Sequence, residues 1–570
     1  MKDDALYTSI ETLGGISGRN YLIILFVLLI VIHVVEIFLE RNGIIHSDII
    51  FFLMSVFLYG MNIAFHTHDI YYMAVVILFV LIAFSYGLNR CGITLQNWKI
   101  KDRYMKGFLL VLAVITILYL GSLLVLRVYL FKTVTFDFGI FVQMFYYMKE
   151  TLIPYTTCER NELLSHFAVH FSPFYYFILP FYILFPYPVT LIIVQLLAVA
   201  SGVIPLYLMS RRKKLSPLAV IGICSVYLCY PALRGGLFFD FHENKFLAPL
   251  VLWLLYFFDL EKFDRKKIAG ITVFTLLILM VKEDAPIYTA CIGLFQAVYK
   301  KDKRDKIAGL TIMVFSVIYF FVVFHFMGIF GDAGGAITSF GRYKNLMITE
   351  YDGIGGLVLN MLKDPAYVMS QLLTTEKLEF LLWMFLPVLF LPLQSRNLAT
   401  YILLIPLLVL NLLSNYPYQH SIYFQYTYAS GTLVIYLSLL ELSKRKGIRG
   451  KKTGIGLLVV SLIMSASCIS DRNVYYQDYS LYHEQVDDVW ELLKQIPEDA
   501  SVAASTKFVP VLAERDVIYR FSEGADTDYI VLALDGTDGE SNAEMAEEYL
   551  QNHYELFGKI EDRVIVLKKL

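Results

Sequence analysis

Long apolar runs separated by short polar connections dominate the chain from residue 21 to residue 470. Runs long enough to span a bilayer, or nearly so, fall at 21–39, 49–65, 70–88, 108–131, 188–209, 217–233 and 246–260. They continue at 268–281, 285–299, 307–327, 379–394, 398–414, 426–442 and 453–470. A shorter run at 172–186 is broken by Pro180. The pattern predicts an α-helical polytopic membrane protein with about 14 transmembrane helices.

Orientation follows from Lys and Arg, which favour the cytoplasmic side of short loops. The basic loops are 99–106, 211–214, 262–267, 300–306 and 444–452. With all five inside, the segments 234–245, 282–284, 328–378 and 415–425 face outward, as does everything after 470. Between 132 and 210 the chain must then cross an odd number of times. Either 172–186 or part of 188–209 is therefore re-entrant or lies along the interface.

After residue 470 the pattern changes. Helix periodicity at 482–496 gives way to strand-like runs at 501–505, 517–521, 529–534 and 563–568, with a second helix pattern at 541–556. The last hundred residues thus read as a small extracytoplasmic α/β domain. The expected organisation is an N-terminal extension with three spans (1–106), a membrane core (107–472) with outer loops 132–171 and 328–378, and the outer domain (473–570).

Composition fits this layout. The chain of 570 residues is 57% hydrophobic and only 17% charged, with a mean hydropathy of +0.60. A net charge of −2 and the absence of a basic recognition helix argue against a nucleic-acid partner. Cys224, Cys229, Cys291 and Cys468 fall in or beside apolar runs, Cys158 reads as exposed, and no CxxC pair exists.

Candidate chemistry gathers on the outward side in four clusters: Asp137, Glu162/His166/His170, Asp240/His242/Glu243 and Lys282/Glu283/Asp284. Ionisable groups near hydrocarbon are costly, so several at one face point to a site. Asp137 also fits a helix N-cap. Glu162, His166 and His170 are spaced four apart, which on a helix makes one stripe able to ligate a divalent metal ion, or simply a wetted face. In Phe239-Asp240-Phe241-His242 an extended backbone would turn the two polar side chains to a cleft and both Phe to lipid. Arg234, Lys245 and Lys282 sit at similar depth and either meet an anion or snorkel. The loop 328–378 holds Gly331-Asp332-Ala333-Gly334-Gly335 and Arg342, and His420 stands among aromatics.

The stretches Phe-Asp-Phe-Gly-Ile-Phe (136–141), His-Phe-Ser-Pro (170–173), Pro-Leu-Tyr-Leu (205–208), Tyr-Pro-Ala-Leu-Arg (230–234), Phe-Asp-Phe-His (239–242) and Lys-Glu-Asp (282–284) resemble domain-of-unknown-function family 2079. That family is in turn similar in layout to the GT-C class of membrane glycosyltransferases. Three spans precede the usual first helix of that layout.

The resemblance implies transfer of a sugar from a polyprenyl-phosphate-linked donor to an envelope glycan, lipid or protein, in the plasma membrane of a prokaryote. Asp137 would be the base, with Asp240, His242, Glu283 and Asp284 around it. Arg234, Lys245, Lys282, Arg342 and His420 would bind donor or acceptor. The alternative class is a transporter or flippase of a lipid or sugar conjugate, which the lack of repeated halves disfavours. His33 and Glu36, inside the first run, lean towards it. A non-catalytic envelope scaffold is a third reading.

Overall fold

In the computed structural model, residues 18–41, 47–90, 92–97, 99–133, 135–330, 341–349 and 353–570 are described. The motif 331–335 lies outside them. Among the described residues six helices are long and apolar enough to cross a membrane: Ile70–Arg90, Asp102–Tyr129, Pro188–Arg212, Pro217–Phe238, Lys303–Met327 and Gly447–Leu493. Shorter apolar helices lie at Leu25–Phe38, Asp48–Ala64, Tyr175–Leu184 and Ala285–Tyr299.

Several expected spans take a different form. The helix Tyr175–Leu184 has 10 residues, roughly 15 Å at the α-helical rise, or half the hydrocarbon thickness. The run 188–212 breaks only at a turn at Gly202 and is long and apolar enough to cross. The runs 379–394 and 398–414 are not straight helices. The helix Thr375–Phe385 is followed, after a 3₁₀ turn, by the left-handed residues Leu389 (φ 54°) and Phe390 (φ 51°). Two 3₁₀ turns flank them, and a 3₁₀ stretch Leu398–Leu404 and a π-helical stretch Leu407–Leu412 follow. Pro387, Pro392 and Pro406 each remove a helical donor there.

The two ends of the bundle are chemically distinct. At one end the five basic loops meet through ion pairs and hydrogen bonds: Arg211–Asp102 at 2.7 Å, Lys213–Asp259 at 2.6 Å, Lys300–Asp259 at 3.9 Å and Lys267–Asp305 at 2.6 Å. Lys451 joins them by donating to the carbonyls of Leu95 and Gln96, each at 2.9 Å. The helix Asp102–Tyr129 runs from this end to the other, roughly 40 Å away by its length. Glycines allow two seams of direct backbone contact within the bundle. A Cβ on Gly222 would strike the carbonyl of Gly454, and one on Gly293 would lie 2.5 Å from that of Gly309.

At the far end a five-stranded mixed sheet follows the helix Val474–Leu493, which continues the span Gly447–Ile469 through a 3₁₀ turn. The strand order is Ile518–Arg520, Val502–Ala504, Tyr529–Ala533, Val564–Lys569, Tyr554–Ile560. The first three are parallel and the last two pairings antiparallel. The helix expected over 541–556 is Gly539–Gln551, and the chain reverses into the strand from Tyr554. This unit packs on the helix Asp137–Thr151, where Gly139 leaves room for Val509. The Gln143 amide donates to the carbonyls of Arg515 (3.2 Å) and Asp516 (3.1 Å).

Candidate active site

Asp137 is the first residue of its helix, and no side chain caps that helix by a hydrogen bond. It is partly buried. Burial pushes its carboxyl up to about 6, reinforced by the negative charges of Asp240 and Glu159 and opposed by His170. These causes themselves place the four groups in one neighbourhood.

Asp240 is wholly buried and takes a left-handed backbone (φ 39°) in place of the extended one expected. Its carboxylate lies 2.6 Å from the Arg127 guanidinium, both side chains at 0% exposure. The approach is ionic in distance yet outside hydrogen-bond geometry, and Arg127 has no hydrogen-bond partner among the described residues. We take the contact as an ion pair, because two opposite charges this close and this dry attract at any angle. Thr135 donates to the other Asp240 oxygen at 3.2 Å. Phe239 and Phe241 do not face lipid. They pack on Phe424 (4.5 Å) and Phe141 (5.2 Å), respectively.

A relay of charged groups continues from there. Lys282 pairs with Glu243 at 2.7 Å, and Tyr175 donates to the other Glu243 oxygen at 3.1 Å. Glu283 meets His170 Nδ1 at 2.9 Å, the His170 and His166 rings are 5.8 Å apart, and His166 Nδ1 meets Glu159 at 2.9 Å. Burial alone would raise Glu159 and lower His166, but each partner's charge outweighs it, so Glu159 is lowered and His166 raised. His242 is buried edge-on to Phe141 at 5.0 Å. Burial holds its pKa well below the usual imidazole range.

The expected metal stripe does not form. Residues 162–170 are not one helix: Leu164–Ser165 pairs antiparallel with Tyr155–Thr156, and His166–Ala168 is a single 3₁₀ turn. Glu162 is exposed, and no group of three potential ligands gathers among the described residues. Glu159 takes the place beside His166 instead. Three further candidates are engaged otherwise than expected. Arg234 is spent inside the bundle on Thr116, Ser465 and the Leu228 carbonyl. Buried Lys245 donates to the carbonyls of Phe239 and Asp240. His420 is pushed down by burial and by neighbouring Lys377. Cys158, expected to be exposed, is buried.

Beside the cluster opens a cavity of about 300 Å³. One end carries Glu283, Asp284 and Arg342, and the remainder is largely apolar, with Phe320, Leu357 and Leu413 among its walls. Burial raises Asp284, with adjacent Lys282 opposing, and one of its oxygens has no hydrogen-bond partner among the described residues. The Arg342 guanidinium lies over the rings of Tyr416 (5.1 Å) and Tyr426 (5.2 Å). Tyr416 also feels the charge of Asp137, which links the cavity to the carboxylate cluster. Sequence reasoning missed Arg127, Glu159 and Tyr416, whereas Tyr426 is one of the aromatics noted around His420. The lone charge in the run 108–131 was the available signal for Arg127.

A family model described as "Predicted membrane protein (DUF2079)" matches residues 127–558. The chain belongs to this family. The DUF2079 match begins at Arg127 and leaves out the helices between residues 18 and 90. No curated protein matches the chain. Among solved structures it is similar to ArnT from Cupriavidus metallidurans bound to undecaprenyl phosphate. Identity is 12%, covering 81% of this chain and 98% of that one, with a TM-score of 0.46. The apo form of that protein gives 11% identity, 76% and 93% coverage, and a TM-score of 0.42. The Archaeoglobus fulgidus oligosaccharyltransferase in complex with Zn and sulfate gives 11%, 77%, 71% and 0.41.

Proposed function

We propose that this DUF2079 protein is a membrane glycosyltransferase that moves a sugar from a polyprenyl-phosphate carrier to a hydroxyl of an envelope acceptor. The reaction takes place at the end of the bundle opposite the basic loops, which is the outer face. One observation carries the reading: a largely apolar cavity has a polar end of Glu283, Asp284 and Arg342, and Arg342 stacks on Tyr416, which lies within reach of the charge of Asp137, a carboxylate tuned to about 6. A lipid-linked substrate needs that combination of an apolar channel and a charged end.

In the reaction the acceptor oxygen bonds to the sugar's anomeric carbon, and the bond from that carbon to the carrier phosphate breaks. Asp137 accepts the hydroxyl proton, and a carboxylate near 6 is ionised at neutral pH yet basic enough to assist. The leaving phosphate gains negative charge, which Arg342 is placed to offset. Lys282 is committed to Glu243 and supports the field of the site from behind. Asp240, fixed by Arg127, keeps the Asp137 carboxyl basic by its like charge, and Glu283, fixed by His170, forms part of the cavity end.

The test is transfer by the purified protein from a panel of polyprenyl-phosphate-linked sugars, with the product identified by mass spectrometry. Asp137→Asn should lower transfer by about 10²–10⁴-fold while the protein stays folded. Unchanged transfer by that variant would reject Asp137 as the base. Movement of the lipid-linked sugar across sealed vesicles with no new glycosidic bond would replace the transferase with a flippase, a reading that the broken segments 386–412 favour.

A further inference from the structure

A polar cavity lies at the basic end of the bundle, roughly 40 Å from Asp137 by the length of the helix Asp102–Tyr129. It has a volume of about 160 Å³ and opens between the starts of the helices Pro217–Cys229 and Gly447–Ile469. Lys214, Arg445, Lys446 and Lys451 line it together with Ser216 and Ser443, and no Asp or Glu is among its lining residues.

Elsewhere at this end each basic loop has its carboxylate: Arg211 has Asp102, Lys213 and Lys300 share Asp259, and Lys267 has Asp305. The cavity breaks that rule. Arg445 spends part of its guanidinium on Thr453 and Gln394, and Lys451 points to the backbone of Leu95 and Gln96. Among the described residues the ammonium groups of Lys214 and Lys446 make no hydrogen bond or ion pair. The helix Gly447–Ile469 starts at this cavity without a side-chain cap. Its first amides therefore add partial positive charge to that of the four side chains. Like charges gathered around a concave space repel one another, and an anion seated among them relieves the repulsion.

We propose that this cavity binds a phosphate-bearing anion, supplied by the headgroup of an anionic membrane lipid or by free phosphate. The two helices that frame it belong to two of the long apolar spans, so it sits at the membrane boundary, where lipid headgroups lie. Its role is to anchor the inner ends of these helices. It is independent of the chemistry around Asp137.

The experiment uses the full chain in nanodiscs of phosphatidylcholine, with and without phosphatidylglycerol, and in a third arm phosphatidylcholine discs with inorganic phosphate at matched ionic strength. Thermal stability and lipid retained in native mass spectrometry are read for wild type and for Lys214→Gln/Lys446→Gln. Stabilisation by phosphatidylglycerol alone assigns the headgroup, and stabilisation by phosphate assigns the soluble anion. In either case the double variant should bind about 30-fold more weakly, at about fivefold per basic residue. If the double variant does not fold, Lys446→Gln alone should show the fivefold loss. The proposal is overturned if neither anion stabilises the wild type, or if the variant binds as the wild type does.

Discussion

Replacing Arg127 by Met tests the architecture of the site most directly. The guanidinium is the only cation within ion-pair distance of Asp240 among the described residues, and both side chains are fully shielded from water. With it gone, the carboxylate keeps only the Thr135 hydroxyl at 3.2 Å. Unit charges with centres about 4 Å apart at an effective dielectric of about 20 attract by about 4 kcal/mol. That agrees with the roughly 3–5 kcal/mol lost when one partner of a buried pair is removed. Thermal unfolding in a fixed detergent, followed by intrinsic fluorescence, is the assay. Arg127→Met should melt well below wild type, as should Asp240→Asn, which strands the guanidinium instead. Asn tolerates the left-handed backbone at 240, so that variant isolates the charge. The double variant Arg127→Met/Asp240→Asn should recover most of the loss, because neither charge is left alone. A wild-type melt for Arg127→Met, or a double variant as poor as the sum of the singles, would refute the pairing.

Other expectations follow from the same geometry. The rate of transfer should rise with pH through about 6 as Asp137 ionises, and a profile flat from pH 5 to pH 8 would contradict its role as base. The Glu159–His166 pair stabilises the fold only while both are charged. With Glu159 lowered and His166 raised, that contribution is full between the unfolded values of about 4.3 and 6.5. It is lost as pH falls through the folded value of Glu159 or rises through that of His166. The stability gap between wild type and Glu159→Gln should therefore be widest near pH 5–6 and narrow in alkali, and a constant gap would count against the pair. Gly139→Val would drive a side chain into Val509 and cost about 1–3 kcal/mol in docking of the sheet unit. Limited proteolysis should then release the C-terminal fragment faster than from wild type.

Much of this was legible in the chain because hydrophobic length and polar exceptions are strong signals. The apolar runs located the long helices, and the short continuous apolar runs Val502–Ala504 and Tyr529–Ala533, buried throughout, located central strands. The motifs holding Asp137, His170, Asp240 and Glu283 lie far apart in sequence, and the structure brings them together. What failed depended on local detail. Four-residue spacing at 162–170 implied a helix, but a two-residue strand pairing turned the loop and put Glu159 against His166 instead. Arg127 was submerged in an apolar run. The breaks at 386–412 were announced by three prolines, which average hydropathy overlooks.

The glycine seams have a consequence for how the protein works. Where the backbones of 222 and 454, and of 293 and 309, touch with no side chain between them, neighbouring helices have no lubricating layer to slide on. That half of the bundle is a fixed chassis. Any breathing needed to admit a long lipid tail falls to the irregular stretch 386–412 and the short helices beside it, which hold few regular hydrogen bonds to break. A bulky residue at Gly293 should then stiffen nothing and simply split the chassis, whereas restraints placed in 386–412 should slow turnover in a folded protein.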